Sequence, residues 1–349
     1  MRYRVAAAFF ASAVGIAVPA ARASGSDAAA NPAALADAIA GDAARVASRA
    51  ERLDGETRAR VASAVSKLEE ERRSGRLWAA LQRLREARRE AAVGESRGSA
   101  ESFDADWERA SRDLRGRDAS PPRWGRVAAA ARALGEAAEG TVVPLVEASR
   151  AYAGVTNAAA GRYYLADARE ASDFAGFCRA LPRTDRTAPA WRSIAPELSR
   201  LQEKVNAAFV PPRSIDRHSD FIRLNAALKT AHELDASGRF AGAGYEYLDA
   251  LEQVGLLLGA PAGSAATVRE RIEAERSALA SGTRDDSLGL LFVERAESAL
   301  ASGGESGIAA ASVIAASVVP AYRAMLEPAP MPPPAESVLT VTLVRWPYT

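Results

Sequence analysis

Two stretches of this chain, SGRLWAALQRLREA at 74–87 and SGRFAGAGYEYLDA at 237–250, share one local grammar. Each opens with Ser-Gly-Arg, continues with a bulky apolar residue, and places Ala at the same two later positions. Helical patterning runs into each stretch and out of it again, which marks the corner and second helix of an αα-hairpin. Gly75 and Gly238 stand where the chain must leave the first helix, and a left-handed residue there is cheapest as Gly. Leu77 or Phe240 fills the corner. Ala80 and Ala87, like Ala243 and Ala250, leave notches where two helices approach closely, with Leu84 or Tyr247 between them. Such units bury their apolar stripe only against other helices, so the pattern predicts an all-α fold of stacked antiparallel hairpins.

The rest of the chain agrees. From about 32 to 327 the apolar residues recur at helical spacing, interrupted by Gly, Ser and Pro. Asn31-Pro32 reads as a helix start. Helices are predicted at 56–73, 76–93, 102–114, from Ser120-Pro121 through Ala138, at 141–155, and at 161–181. After a break come 196–209, a Ser219-capped helix at 220–236, then 238–258, about 266–281, about 285–301, and roughly 306–327. The polar, Pro-punctuated segment PRTDRTAPAW makes 182–195 the predicted linker between an N-terminal helical region (24–181) and a C-terminal one (196–327).

Beyond residue 327 the character changes. Residues 328–336 form a polyproline-type spacer. Within 337–349, SVLTVTLVRW alternates with period two and is rich in Val and Thr, which predicts a short β-strand. A lone strand is not stable by itself. It is expected to lie against the helical body, to pair with a second copy, or to add at 337–346 to a partner's sheet edge.

The first 23 residues have the form of a signal peptide: Arg2 and Arg4, an apolar run from Val5 to Val18, and small residues at Ala21 and Ala23. Cleavage is expected before Ser24, which places the protein in the periplasm or outside the cell. The leader takes three basic residues with it, so the remaining chain holds 42 bases against 44 acids. That near-neutral balance gives no reason to expect a nucleic-acid partner. Cys178 is the only cysteine, so no internal disulfide can form and apolar burial must hold the fold. Its neighbours, FAGFCRAL, predict an inert buried thiol. The run GIAAASVIAASVVPAYRAML owes its apolar character mostly to Ala and carries several Ser. It is therefore expected to be a core helix, leaving no membrane span once the leader is removed.

Catalytic vocabulary is sparse. His218 and His232 are the only histidines, and no metalloprotease, nucleophile-elbow, phosphate-loop or dinucleotide motif occurs. No catalytic residue, metal or cofactor is expected. The acids of FDADWE (103–108) sit in a helix's first turns, where they favour the dipole. One group is a candidate pocket: Tyr163 and Asp167 share a helix face, beside Tyr164 and Arg169. A hydroxyl and a carboxylate there would suit an enzyme or small-molecule binder, the alternative to a protein-contact role.

Gly238, Phe240, Ala243, Tyr247 and Ala250, together with Ala231 and Leu251, resemble the tetratricopeptide repeat over 224–251. Residues 61–88 agree in the second helix but carry Leu68 where a small residue is expected. A third stretch keeps Gly154, Gly161, Tyr163 and Ala166, and departs at Glu170 and Asp173. The copies lie 86 and 77 residues apart rather than at that family's period of about 34. A diverged repeat and an unrelated stack of hairpins both stay open. The resemblance implies a groove lined by the first helix of the hairpin. There Asn225, Lys229 and His232 form a polar stripe with Asp235 beside it, suited to an extended peptide or a terminal carboxylate. The functional expectation is an exported, non-enzymatic scaffold or adaptor that binds a protein or peptide.

Overall fold

A computed structural model describes residues 32–96, 102–118, 124–210, 215–259 and 263–327. The leader, the Pro-rich spacer and the C-terminal strand expected from the sequence lie outside the described residues. Within them the fold is all-α. The elements in chain order are α1 (Pro32–Ala50), α2 (Gly55–Arg73), α3 (Leu77–Ser96), α4 (Phe103–Asp118), α5 (Ala129–Gly140), α6 (Val142–Val155) and α7 (Ala158–Ala180). They continue with α8 (Ala195–Ala208), α9 (His218–Ala236), α10 (Phe240–Leu258), α11 (Ala265–Ala280), α12 (Ser287–Ser302) and α13 (Gly304–Leu326). Extended pairing among the described residues is confined to two isolated bridges, Val127 with Arg183 and Thr187 with Arg284.

The apolar spacing explains the burial. On α1, Leu35, Ile39, Ala43, Val46 and Ala50 recur every three or four residues, and all are buried. One contiguous cluster runs from Leu35 to Met325, drawing on helices before and after the segment 182–195. That segment is itself held: the Thr184 N–H donates to the Arg126 carbonyl at 2.9 Å, and the Asp285 N–H to the Thr187 carbonyl at 2.8 Å. Buried ion pairs join the apolar layers. Arg88 on α3 reaches Asp42 of α1 and Glu170 of α7, with Phe174 and Phe177 under its guanidinium.

The two glycine elbows form as the sequence requires. Gly75 and Gly238 have φ of 76° and 75°. The Arg76 N–H donates to Glu71 O (3.0 Å) and the Gly75 N–H to Arg72 O (3.1 Å). At the second elbow the Arg239 N–H donates to Leu234 O (2.9 Å) and the Gly238 N–H to Asp235 O (3.0 Å). Both are Schellman turns, in which a left-handed residue lets the chain satisfy the last helical carbonyls. Ala80, Leu84, Ala87, Ala243 and Ala250 are fully buried, and Tyr247 nearly so.

Three local expectations are corrected. The helix expected from Ser120-Pro121 begins instead at Ala129: Gly125 turns the chain at φ 56°, and Val127 is drawn into its bridge with Arg183. Gly161 is no elbow. It lies inside α7, where its missing side chain admits the Phe103 ring and Ala153, and the turn falls at Thr156-Asn157. Ser219 lies inside α9, which starts at His218 without a side-chain cap.

Among the described residues one helix, α13, meets the length and composition needed to cross a membrane, yet half of that stretch is buried in the protein. Val313, Ile314, Val318, Val319, Tyr322 and Met325 face the core. Its middle, Ile314–Val318, opens into a π turn, with the Val319 N–H donating to Ile314 O five residues back. Pro320 follows at once; its ring collides with an α-helical carbonyl four residues earlier, and a widened turn relieves that.

Candidate functional site

The polar stripe expected on α9 is only partly gathered. Asn225 is exposed and takes up α8: the Gln202 amide donates to Asn225 Oδ1 at 2.8 Å, while Asn225 Nδ2 donates to Phe221 O at 2.8 Å. Lys229 is exposed, with Glu233 at 3.7 Å. His232 is half-buried. Asp235 points away from the stripe. Buried at 9% exposure, it accepts from the Ile194 N–H (2.8 Å) and the Ser193 hydroxyl (2.6 Å), fixing the entry to α8.

Tyr163 and Asp167 do come together, through a residue the sequence reading did not include. Arg89 of α3 donates from Nε to both Asp167 oxygens (3.0 and 2.9 Å) and from Nη2 to the Tyr163 hydroxyl (2.5 Å). The guanidinium fills the space between them. Burial opposes its charge, but Asp167 and Tyr163 outweigh that and raise its pKa. The cleft remaining beside Asp167 has about 160 Å³ and is walled by Leu145 and Phe174.

A larger cleft of about 390 Å³ lies between α1, α3, α4 and α7. Its charges are matched: Arg49 binds Glu95 at 2.9 Å, and Arg169 binds Asp106 at 2.6 Å. Burial works against the Asp106 charge, yet Arg169 and Arg109 hold its pKa below the usual value. For Glu170, burial prevails over Arg88 and Arg49, and its pKa rises. The described residues contain no group of three or more His, Cys, Asp or Glu placed to hold a metal ion.

Several large apolar side chains are exposed. Val143, Tyr152 and Val155 lie on α6, where Tyr152 stacks on Tyr164 at 4.6 Å near the α6–α7 turn. Val210 lies just past the end of α8, Ile222 near the start of α9, and Leu256 and Leu258 at the end of α10. Phe209 packs on Phe221 (4.8 Å), and Arg217 donates to Leu257 O (2.6 Å). A cleft of about 290 Å³ runs between Asp220, Arg223, Gln253 and Leu256. Only Ile222 signals this end in the sequence: it interrupts the polar side of α9 three residues before Asn225.

Comparison with protein-family models, with curated proteins and with solved structures returns no match. The described residues define an all-α protein with a continuous apolar core and charge-matched clefts.

Proposed function

We propose that this is an exported, non-enzymatic helical scaffold that binds a protein or peptide in the cell envelope. Its working surface would be the open end of the α9–α10 hairpin. The carrying observation is the exposure of Ile222 on the face of α9 that bears Asn225 and Lys229, with Val210, Leu256 and Leu258 also exposed near the ends of α8 and α10. An apolar patch rimmed by polar groups is a usual mark of a protein-contact surface. The tetratricopeptide-like reading of this hairpin belongs to the same proposal, as does capture of a partner's sheet edge by residues 337–346.

A small-molecule role at Tyr163 and Asp167 has less support. Arg89 occupies the gap, and a cleft of about 160 Å³ falls below the several hundred Å³ usual for such ligands.

The test is photocrosslinking in the native envelope from positions 222, 155 and 67, the last an exposed site on α2. A discrete adduct from 222, weakened by Leu256→Ser and Leu258→Ser, supports the proposal. Equal labelling from all three positions, or adducts from 155 alone, refutes it.

A further inference from the structure

The two elbows share a chemical deficit. At the start of α3 and α10 the capping position falls on Arg76 and Arg239, whose side chains only donate. The first N–H groups of an α-helix need acceptors, normally supplied by a Ser, Thr, Asp or Asn at the cap. Here the acceptor comes from far along the chain. The Ala79 N–H donates to Glu294 Oε2 at 2.8 Å, and the Gly242 N–H to Glu136 Oε2 at 3.0 Å.

The two bonds are mirror statements of each other. Ala79 and Gly242 hold the same place, four residues past Gly75 and Gly238. Glu136 lies on α5, after the first hairpin, and caps the second; Glu294 lies on α12, after the second hairpin, and caps the first. Gln82 and Tyr245 are also equivalent, separated by the same 163 residues as the elbows, and they touch: Gln82 Nε2 donates to the Tyr245 hydroxyl at 3.1 Å. In a one-directional stack, equivalent residues lie a repeat apart. They meet face to face only about a two-fold axis, as in an isologous interface.

The packing around this centre repeats. α1 lies on the first hairpin as α8 does on the second. α3 packs on α7 as α10 packs on α13, and α4 on α7 as α11 on α13. α5 packs on α7 and crosses to α10; α12 packs on α13 and crosses to α3; α5 and α12 touch each other. α7 and α13 are both 23 residues long. Only α6 has no counterpart.

We infer that residues 32–180 and 195–326 are two copies of one six-helix unit, joined face to face about an approximate two-fold axis, each capping the other's hairpin. α6 is an addition to the first copy. The surface formed by α3 and α5 therefore has as its partner the equivalent surface formed by α10 and α12.

Hydrogen exchange on the full chain, read by mass spectrometry, tests this. Glu136→Ala should speed exchange at 240–244 and Glu294→Ala at 77–81 by about tenfold, the cost of a lost helix cap. Each effect appears in the unit that does not carry the substitution. Faster exchange confined to the substituted unit, or at one of the two sites only, overturns the inference. Should an alanine variant fail to fold, Glu136→Met and Glu294→Met keep most of the side-chain volume, remove the acceptor, and are read by the same criterion.

Discussion

Arg88 donates from Nη1 to Asp42 Oδ2 at 2.8 Å, and from Nε it binds Glu170, so one guanidinium ties α1, α3 and α7 together. Both carboxylates are nearly buried. Removing the arginine leaves two nearly buried acids, Asp42 with only the exposed Arg45 at 2.6 Å and Glu170 with only Arg49 at 3.5 Å. Arg88→Ala should therefore lose about 3 kcal/mol in urea unfolding, the lower end of the usual range for breaking a buried pair from one side. A loss below about 1 kcal/mol would mean that water already screens this triad.

Glu294 makes stability depend on pH. Burial pushes its carboxyl up to about 8, with Glu297 adding to the rise and the Ala79 and Trp78 N–H groups and Arg276 opposing it. An acid whose folded pKa lies above its unfolded value stabilises the fold below the unfolded pKa, near 4.5, and loses that contribution as pH rises through 8. Unfolding free energy should thus fall between about pH 4.5 and 8, by at most about 1.4 kcal/mol per unit from this group. Glu246, pushed to about 7 by burial, adds in the same direction. Glu294→Gln should flatten the slope, and an unchanged slope would remove Glu294 as its source.

Glycines separate by environment. A Cβ on Gly242 would lie 2.8 Å from the Ala137 backbone nitrogen, so Gly242→Ala should destabilise by about 1–3 kcal/mol through overpacking. Gly238→Ala has open space but φ of 75°, and should lose about 1 kcal/mol through strain alone. Gly41, mid-helix in α1 with nothing nearby, should gain about 0.5–1 kcal/mol on change to Ala. Thermal melts of the three variants give the order, and a stabilised Gly242→Ala would contradict the close approach of α5 and α10.

Cys178 should resist thiol reagents in the native protein. The residue is fully buried, and burial pushes its thiol up to about 12 despite the nearby Arg85, Arg88 and Arg179. Labelling should proceed no faster than unfolding, followed by mass against denaturant. Rapid native labelling would show that α7 opens locally.

The helical class and both elbows were readable because they rest on local rules: spacing of Leu and Ala, and the need for Gly where φ turns positive. The Gly161 reading failed because glycine also serves close packing, and the sequence does not distinguish a turn from a notch for the Phe103 ring. Ser120-Pro121 looked like a helix start, whereas the bridge at Val127 decides where α5 begins. Glu136 and Glu294 were invisible as caps. Each is an acid on an amphipathic helix, and its bond partner lies 106 or 215 residues away. The Tyr163–Asp167 pair was legible from its helix face, but Arg89 between them was not.

The widened turn at Ile314–Val318 sets an angular phase. Each residue added to a helix rotates everything after it by about 100°, so the extra residue there decides which side chains of the last two turns look inward. It brings the Tyr322 hydroxyl to Asp286 at 2.9 Å and lays the ring over Gly289. A single deletion between 314 and 318 would therefore turn Tyr322 toward solvent, unseating the end of α13 without altering its composition.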